Sequence, residues 1–579
     1  MLDYLKRLVF NWHFFNLLII TFLALLGSLP FFHSGLYTAH DIWHQVARHY
    51  HYSQALTQGQ LFPAWISTLA NGYGYPLFVF SYHLPWMCGS LLTTAGASVF
   101  TSIKALFVIT FLLSGYSMYF FTTRFLNSPL AGLLAAIIYM WAPYHFLTNY
   151  VSAAIGTAFI FTLLPLVFLG AHLLLSKPQR GIGYMALGLA GIILSHLISF
   201  ALLLPFVILF FSGLLAISFV IDRKVPILLR RGASFMGAVG LSIFLSAFYL
   251  LPLLKFLPLI QATTSEAGFA QIYVSNFVAF KQLVYSPWGF GPIISNAKDG
   301  EISFQVGIAQ WVALELSGIL VVSYWLRSFW SANFWLNSPF FKKEAGLAKG
   351  GLTVFSFAVS AFLMLDYSQP LWDFGNTLVA LDYPFRLLVV SVFFGSLIAG
   401  WVMKALRVPL IKYPLAACLI LIALYTNRNH VRVNQYTEVP LDLYVRSEKT
   451  TNTFHEYLPS QADSSLLNEE NTAAVLPETI DAEMISQTTT ETVFAFSLAE
   501  ATMVSFHQFA FPGQTLYLDD QLIEYTTDGQ GLISAMVEPG AHQAVVRYQK
   551  PIIFTVALIV SGVSLLAVLF LLLNKTYAK

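Results

Sequence analysis

The stretch from Phe200 to Ile221, FALLLPFVILFFSGLLAISFVI, runs for 22 residues without a charged side chain and is followed by Asp222, Arg223 and Lys224. An apolar helix needs about 20 residues to cross the ~30 Å hydrocarbon layer of a bilayer. The stretch therefore reads as a membrane span with its basic end at the cytoplasmic face. Comparable runs lie near Phe14 to Phe32, Ile103 to Phe121, Pro129 to Phe146, Ala154 to Leu175, Gly181 to Ile198, Ala233 to Leu254, Gly307 to Leu326, Leu352 to Leu365, Phe385 to Met403, Pro414 to Tyr425 and Ile552 to Leu573. Together they make 12. Lys6 and Arg7 precede the first, which lacks a small-residue cleavage site and reads as a retained, inward-anchored helix.

Composition agrees. Of 579 residues, 57% are hydrophobic and only 10% charged, far from the roughly 25% charged of a soluble domain. The 52 Phe and 28 Tyr suit lipid-facing helices and interfacial belts. A net charge of +2 offers no basic field for nucleic acid. Both cysteines, Cys88 and Cys418, fall in apolar runs, so neither a disulfide framework nor a thiolate metal site is expected.

One run, Pro76 to Thr94, is ambiguous because it carries His83 and two prolines. If it dips back without crossing, Arg124, Lys177, Arg180, Arg223, Lys224, Arg230, Arg231, Lys342, Lys343, Lys404, Arg407 and Lys575 all fall inside. If it crosses, nearly all flip outside, so 12 spans plus a re-entrant segment are favoured over 13. The expected fold is an α-helical polytopic membrane protein with 12–13 transmembrane helices and a small extracytoplasmic β-sandwich domain before the last helix. The expected divisions are a transmembrane module over 1–426 with an external loop 34–74, a β-rich extracytoplasmic domain over 427–551, and a closing helix with a short cytoplasmic tail over 552–579. The β-rich part holds 17 of the 28 acidic residues and 6 of the 30 basic ones. Within it, Thr492 to Phe511, Leu516 to Leu518, Leu532 to Val537 and Ala544 to Tyr548 read as strands punctuated by Pro512-Gly513, Asp528-Gly529 and Pro539-Gly540. The polar, acidic Gln461 to Gln487 reads as a surface loop.

The first external loop carries the richest chemistry: His40-Asp41-Ile42-Trp43-His44, then Phe62-Pro63-Ala64-Trp65 and Tyr73-Gly74-Tyr75-Pro76. A carboxylate at the membrane surface just beyond a span is placed to take a proton from an acceptor hydroxyl, or to hold a Mg or Mn ion against a lipid-linked phosphate. The other reading of Asp41 is a cap on the helix that follows. His40 and His44 are spaced for one helix face, and five histidines fall within His33 to His51, but no third ligand can be assigned and no metal site is expected. Asp382-Tyr383-Pro384-Phe385-Arg386 puts an arginine at an outer helix mouth, suited to a phosphate or paired with Asp382. Ser286-Pro287-Trp288-Gly289-Phe290-Gly291 offers an aromatic platform, and Thr453-Phe454-His455-Glu456-Tyr457-Leu458-Pro459 can present Glu456 and Tyr457 to the same face. No P-loop, dinucleotide-binding glycine pattern or nucleophile elbow is present.

These motifs, in this order, resemble bacterial multi-pass membrane proteins labelled 6-pyruvoyl-tetrahydropterin synthase-related, a label that is not an activity. The stretches around Phe511-Pro512-Gly513, Leu518-Asp519-Asp520 and Pro539-Gly540-Ala541-His542 are similar to the terminal β-domain of YfhO-like membrane proteins, with Gln514 and Asp520 where those usually carry Trp and an Asp-Gly. Both groups look like distant relatives of the GT-C glycosyltransferases. That resemblance implies a helical bundle whose first external loop bears a catalytic acid, here Asp41, and whose donor is a polyprenyl-phosphate-linked sugar. It leaves Arg386 as a weaker carry-over, and the lone acid of the loop puts a two-carboxylate metal site in doubt. The implied protein lies in a bacterial inner membrane with a cytoplasmic N-terminus and moves a sugar to a glycan, lipid or protein acceptor. His40 or His44 would orient Asp41, Trp288 or Trp65 would stack the sugar, and Asp382 would accompany Arg386. The competing expectations are a non-catalytic scaffold of an envelope polysaccharide pathway, and a glycolipid transporter whose intramembrane charges would be Lys104, Lys255 and Glu315.

Overall fold

The computed structural model describes residues 12–261, 272–292, 298, 301–330, 340–406, 408–446, 456–467 and 473–574, with the side chains of 324–330, 340–345 and 446 outside that description. Lys6, Arg7, Arg407, Glu448, Thr453, Phe454, His455 and Lys575, and the side chains of Lys342 and Lys343, lie outside it too.

Among the described residues, seven helices are long and apolar enough to cross a bilayer: Val99–Leu126, Ile155–Leu173, Leu197–Asp222, Val225–Leu245, Pro384–Ala405, Pro409–His430 and Ile552–Leu573. Two bent pairs, Pro129–Met140 with Pro143–Ser152 at 48° and Gly346–Phe362 with Asp366–Asn376 at 94°, raise the number to nine. The shorter helices Trp12–Gly27, Ala247–Leu259, Ile308–Ser323 and Pro178–Ile193 complete the bundle. Each of the 12 predicted spans coincides with one of these helices or pairs. Basic residues gather at one end, where Arg231 donates to Asp222 Oδ2 at 2.7 Å and to the Leu175 carbonyl at 2.9 Å, and Lys404 reaches the Asn127 carbonyl at 3.3 Å.

The run Pro76 to Thr94 forms two short helices, Leu77–Phe80 and the 11-residue Leu84–Thr94. At 1.5 Å per residue the longer covers about half the bilayer core, so this segment does not cross. It stays at the opposite end from the basic residues, where the Leu194 carbonyl accepts from the amides of His83 at 3.1 Å and Leu84 at 2.8 Å.

The break in the third span follows from Pro143, which lacks an amide hydrogen and pushes Ala142 into extended geometry at φ −77°, ψ 145°. The second half winds into a π-turn, Leu147–Ser152, and stops at Ala153 in the left-handed region at φ 51°. Its last carbonyls, unpaired within the helix, are met by the first loop. The amides of His40 and Asp41 donate to Val151 and Ser152 at 3.0 Å each, and the Gln45 side chain to Ala153 at 3.0 Å. The loop helix Ile42–Thr57 is thereby docked on the broken span.

The polar C-terminal part is a sandwich of two antiparallel sheets. One has the order β3-β6-β10-β9 (Val475–Leu476, Thr502–Phe509, Leu532–Val537, Thr526–Thr527). The other has the order β4-β5-β11-β7-β8 (Asp481–Gln487, Glu491–Leu498, Gly540–Tyr548, Gln514–Leu518, Gln521–Ile523). Alternate residues of the strands, among them Phe494, Phe496, Val504, Phe506, Leu516 and Val546, fill the space between the sheets. Gln461 to Gln487 is not a loop throughout: it contains β3, which pairs with β6 about 30 residues on, and β4, which forms a hairpin with β5 across the three residues 488–490. The segment after Asn427 belongs to the first loop rather than to the sandwich. β2 (Tyr436–Thr437) pairs with β1 (Leu36–Tyr37), and the helix Leu441–Arg446 packs Tyr444 on Trp43 with ring centroids 4.2 Å apart.

The sandwich clamps the rest of that loop. Gln487 donates to the carbonyls of Ser67 at 3.0 Å and Gly72 at 2.8 Å, Gln508 reaches the same two carbonyls, and Phe509 donates its amide to Tyr73 at 2.7 Å. His507 stacks on Tyr73 at 3.6 Å, and Lys550 binds the Phe62 carbonyl at 2.9 Å. Trp65 lies wholly buried between Phe511 and Tyr548, with centroids 5.6 and 6.0 Å away. Gly74 adopts φ +87° and has no room for a Cβ, which would sit 2.2 Å from Trp65 Cζ2. The loop motifs around Trp65 and Tyr73 to Pro76 are thus a structural joint, and Trp65 is not available to stack a sugar.

Candidate active site

Asp41, Gln45 and Arg48 are spaced i, i+4, i+7 and so share one face at the start of the loop helix. Asp41 stands at the cap position with φ −98° and ψ 3°, but its carboxylate does not bond the first-turn amides. The reason is local: its backbone is held by Ser152, and its dihedrals are not the extended ones from which a capping side chain reaches back. No ion pair or hydrogen bond engages the carboxylate among the described residues, and the residue is half-buried. The capping alternative is therefore not realised, and a carboxylate on a fixed backbone is left with its lone pairs unused.

That face meets residues from four distant segments around Tyr82, which follows the short helix Leu77–Phe80. The Tyr82 phenol is pushed up to about 12 by burial, in the combined field of Arg48, Asp41 and Arg386, and with Gln45 beside it. Its ring stacks near His196 at 6.2 Å. Asp41 and Arg386 also act together on Tyr383, whose phenol burial raises. Glu456 and Arg48 bear on Tyr457, whose phenol is raised first by burial and then by Glu456.

Arg386 is paired, as its spacing allowed. Nε lies 2.8 Å from Asp382 Oδ2, and Nη1 is 3.0 Å from His196 Nε2. Nδ1 of the same ring accepts the Ser199 amide at 3.2 Å, the N-cap bond of the helix Leu197–Asp222, and lies 3.1 Å from Ser199 Oγ. Burial, then Arg386, holds this histidine well below its ordinary pKa and hence neutral. Nη2 of Arg386 makes no hydrogen bond among the described residues, so a cationic donor remains on a guanidinium that Asp382 and His196 hold rigid. An unengaged carboxylate and an unengaged guanidinium nitrogen, both with charges that bear on Tyr82, are the parts needed to take a proton from one group and to stabilise an anion on another.

The histidines of the loop do not form a cluster. His40 Nε2 binds the Gly291 carbonyl at 2.8 Å and ties the Trp288 loop to the site. His44 is half-buried on the first turn of the loop helix. His49 bonds Thr93 at 2.9 Å and His51 the Val445 carbonyl at 3.3 Å, and burial lowers each to about 4. His33 stacks on Tyr436 at 3.7 Å. Among the described residues no three His, Cys, Asp or Glu side chains converge to hold a metal. No step below runs through a metal ion.

No family model matches the chain. An uncharacterized protein of Lactococcus lactis subsp. cremoris (strain MG1363) is 27% identical over 283 residues, which is 48% of this chain and 45% of that protein. The match thus spans less than half the length of the relative. Among solved structures the chain is similar to the arabinofuranosyltransferase AftD from mycobacteria, at 13% identity and TM-score 0.44, over 71% of this chain and 26% of that one.

Trp288 makes no hydrogen bond or ring contact with Tyr82 among the described residues and lies in a neighbouring cleft, joined to the first loop through His40. It stacks on His430 at 4.1 Å and lines a cleft of about 240 Å³ with Gln305, Asn427, Asn429 and Arg432. The intramembrane charges do not line a path. Lys104 is bound by loop carbonyls, His33 at 2.6 Å and Gly35 at 3.1 Å, while Glu315 and Lys255 lie on exposed faces. Gln45, Arg48, Tyr82 and His196 went unnoticed in the sequence. The polar stripe at 41, 45 and 48 was a usable signal, whereas nothing local marks Tyr82 or His196.

Proposed function

We propose that the protein is a membrane glycosyltransferase of the GT-C kind that transfers a sugar, with inversion, from a polyprenyl-phosphate donor to an acceptor hydroxyl. The observation that carries this reading is the Asp41 carboxylate, unengaged among the described residues and fixed by its backbone, whose charge bears on Tyr82 and Tyr383 as the opposite charge of Arg386 does. Asp41 takes the proton of the acceptor hydroxyl as its oxygen bonds to the anomeric carbon. The bond from that carbon to the phosphate oxygen breaks, and the phosphate leaves with the electron pair, its charge met by Arg386. Asp382 and His196 act by positioning Arg386, and Arg48, Glu456 and Tyr457 shape the field around Tyr82. The reaction face is the one that carries the β-sandwich, assigned here to the outside of a bacterial cytoplasmic membrane because the basic residues collect at the other end.

The test is mass spectrometry of envelope glycans and polyprenyl-linked sugars in a deletion strain complemented with wild type or with Asp41→Asn, both verified in the membrane. The variant should behave as a deletion, losing one sugar from a glycan while the lipid-linked donor accumulates. A wild-type profile from Asp41→Asn would overturn the catalytic reading in favour of a binding protein.

A further inference from the structure

The helix Pro409–Asn427 carries Ile420, Leu424 and Asn427 at i, i+4 and i+7, one continuous face. Ile420 and Leu424 line an open groove of about 420 Å³ whose other walls include Leu18, Phe22, Leu133 and Ile137, carbon side chains throughout. Asn427, three residues and about 4.5 Å further along the axis, lines the polar cleft that holds Trp288. Asn427 of the cleft and Leu424 and Ile420 of the groove therefore lie on successive turns of one helix face, the polar cleft beyond the apolar groove along the axis.

Several polar groups of the cleft lack partners among the described residues. Asn427, 3% exposed, gives its amide hydrogens to the carbonyls of Trp141 at 2.9 Å and Ala423 at 2.8 Å, and nothing donates to its oxygen. Trp288 Nε1 and His430 Nδ1 are buried without a partner. Such groups cost free energy unless something bonds them. Among the described residues the cleft has amides at Gln305, Asn427 and Asn429, one cation at Arg432 and no acid. That surface offers donors and acceptors in mixture, as a polyhydroxylated ring requires, rather than the clustered cations that a phosphate would call for.

We infer that groove and cleft together hold one membrane glycolipid, its chain along Leu18 and Leu424 and its saccharide head against Trp288, Asn427, Asn429 and Arg432. The site adjoins the Tyr82 centre: Trp141, which binds Asn427, precedes by three residues Tyr144, which lies in the field of Arg386 and Asp382, and His40 holds Gly291 of the Trp288 loop. This deepens the transferase reading by naming the acceptor as a lipid-borne saccharide, and rests on that reading only for the lipid's use, not for its binding.

The experiment is native mass spectrometry of the full chain released from phosphatidylglycerol nanodiscs containing a minor fraction of diglucosyldiacylglycerol. Wild type should retain the glycolipid in preference to phosphatidylglycerol. Leu18→Trp, at a half-exposed groove position, should lower glycolipid retention roughly tenfold by filling the channel. Arg432→Gln and Asn429→Leu, both at exposed positions where folding is not at stake, should each lower it roughly fivefold and leave phosphatidylglycerol unchanged. Equal retention of the two lipids by wild type, or glycolipid retention unmoved in all three variants, overturns the inference. Asp41→Asn separates it from the transferase reading. An active Asp41→Asn that still retains glycolipid removes the catalytic reading and leaves the site, whereas an inactive one with no lipid preference removes the site and leaves the catalytic reading.

Discussion

At Arg386 the proposed chemistry and the packing of the protein meet in one side chain. Its guanidinium is 22% exposed and Asp382 only 9%, so removing the cation strands a nearly buried carboxylate. Arg386→Gln is expected to cost about 2–3 kcal/mol, somewhat under the ~3–5 kcal/mol for breaking a fully buried pair because the arginine keeps some solvent, and to abolish transfer. Arg386→Lys keeps the charge but not the fork that binds Asp382 and His196 while presenting Nη2. It should hold the melting temperature within a few degrees yet lose about 10²-fold in transfer rate. Melting curves and transfer assays on the two variants decide this, since a purely structural arginine would make activity follow stability. Gly74→Ala tests the joint at the same scale. With φ +87° and a Cβ 2.2 Å from Trp65, it should destabilise by more than about 2 kcal/mol, read as a lowered melting temperature.

Among elements, the decisive relation is between the first loop and the β-sandwich. The sandwich fixes the far end of that loop through Gln487, Gln508, His507 and Trp65, and the broken span fixes its near end through Ser152 and Ala153. The loop helix that carries Asp41 is suspended between the two. Trp65→Ala should leave a cavity costing about 3–5 kcal/mol at that joint. Limited proteolysis should then cut within 57–72 at sites protected in the wild type, and transfer should fall although Trp65 touches no substrate. The sandwich carries its own pH signature. His542 Nδ1 lies 2.7 Å from Asp519 Oδ2; the Asp519 bond raises the histidine, while the Gln543 amide and then His542 lower the aspartate. A raised histidine stabilises below its ordinary value, about 6.5, and loses that as pH climbs through its folded pKa; a lowered aspartate stabilises above about 3.9 and loses that as pH falls. The difference in melting temperature between wild type and His542→Gln should be largest near pH 5.5 and vanish by about pH 9.

The whole molecule is a bundle with two unlike ends, one basic and one carrying the loop, the Tyr82 centre and the sandwich. If the basic end is cytoplasmic, cysteines placed at Thr57 and Glu524, both exposed, should react with a membrane-impermeant maleimide on intact cells. A cysteine at Lys224, also exposed, should react only after permeabilisation. The reverse pattern would invert the molecule and place the proposed chemistry inside the cell.

The sequence by itself determined the bundle. Long apolar runs have no other stable placement than a membrane, so the helical, membrane-spanning character of the chain was legible. The number of full crossings was not: among the described residues seven to nine helices or bent pairs are long and apolar enough, against the 12–13 expected. It also determined the sandwich core, since period-two alternation and turn residues act over a few positions. The edge strands β3 and β4 were not legible, because β3 is only two residues long and pairs with the distant β6, and β4 mixes polar and apolar residues on a largely exposed edge. The candidate site was half legible: Asp41, Asp382, Arg386, Glu456 and Tyr457 were readable as polar residues at span ends. Only the tertiary structure decided that Asp41 is not a cap, that Trp65 is a buried joint, and that Tyr82, Arg48 and His196 complete the centre. Those facts depend on which carbonyls and rings from hundreds of residues away reach each side chain, and neither periodicity nor composition encodes contacts of that range.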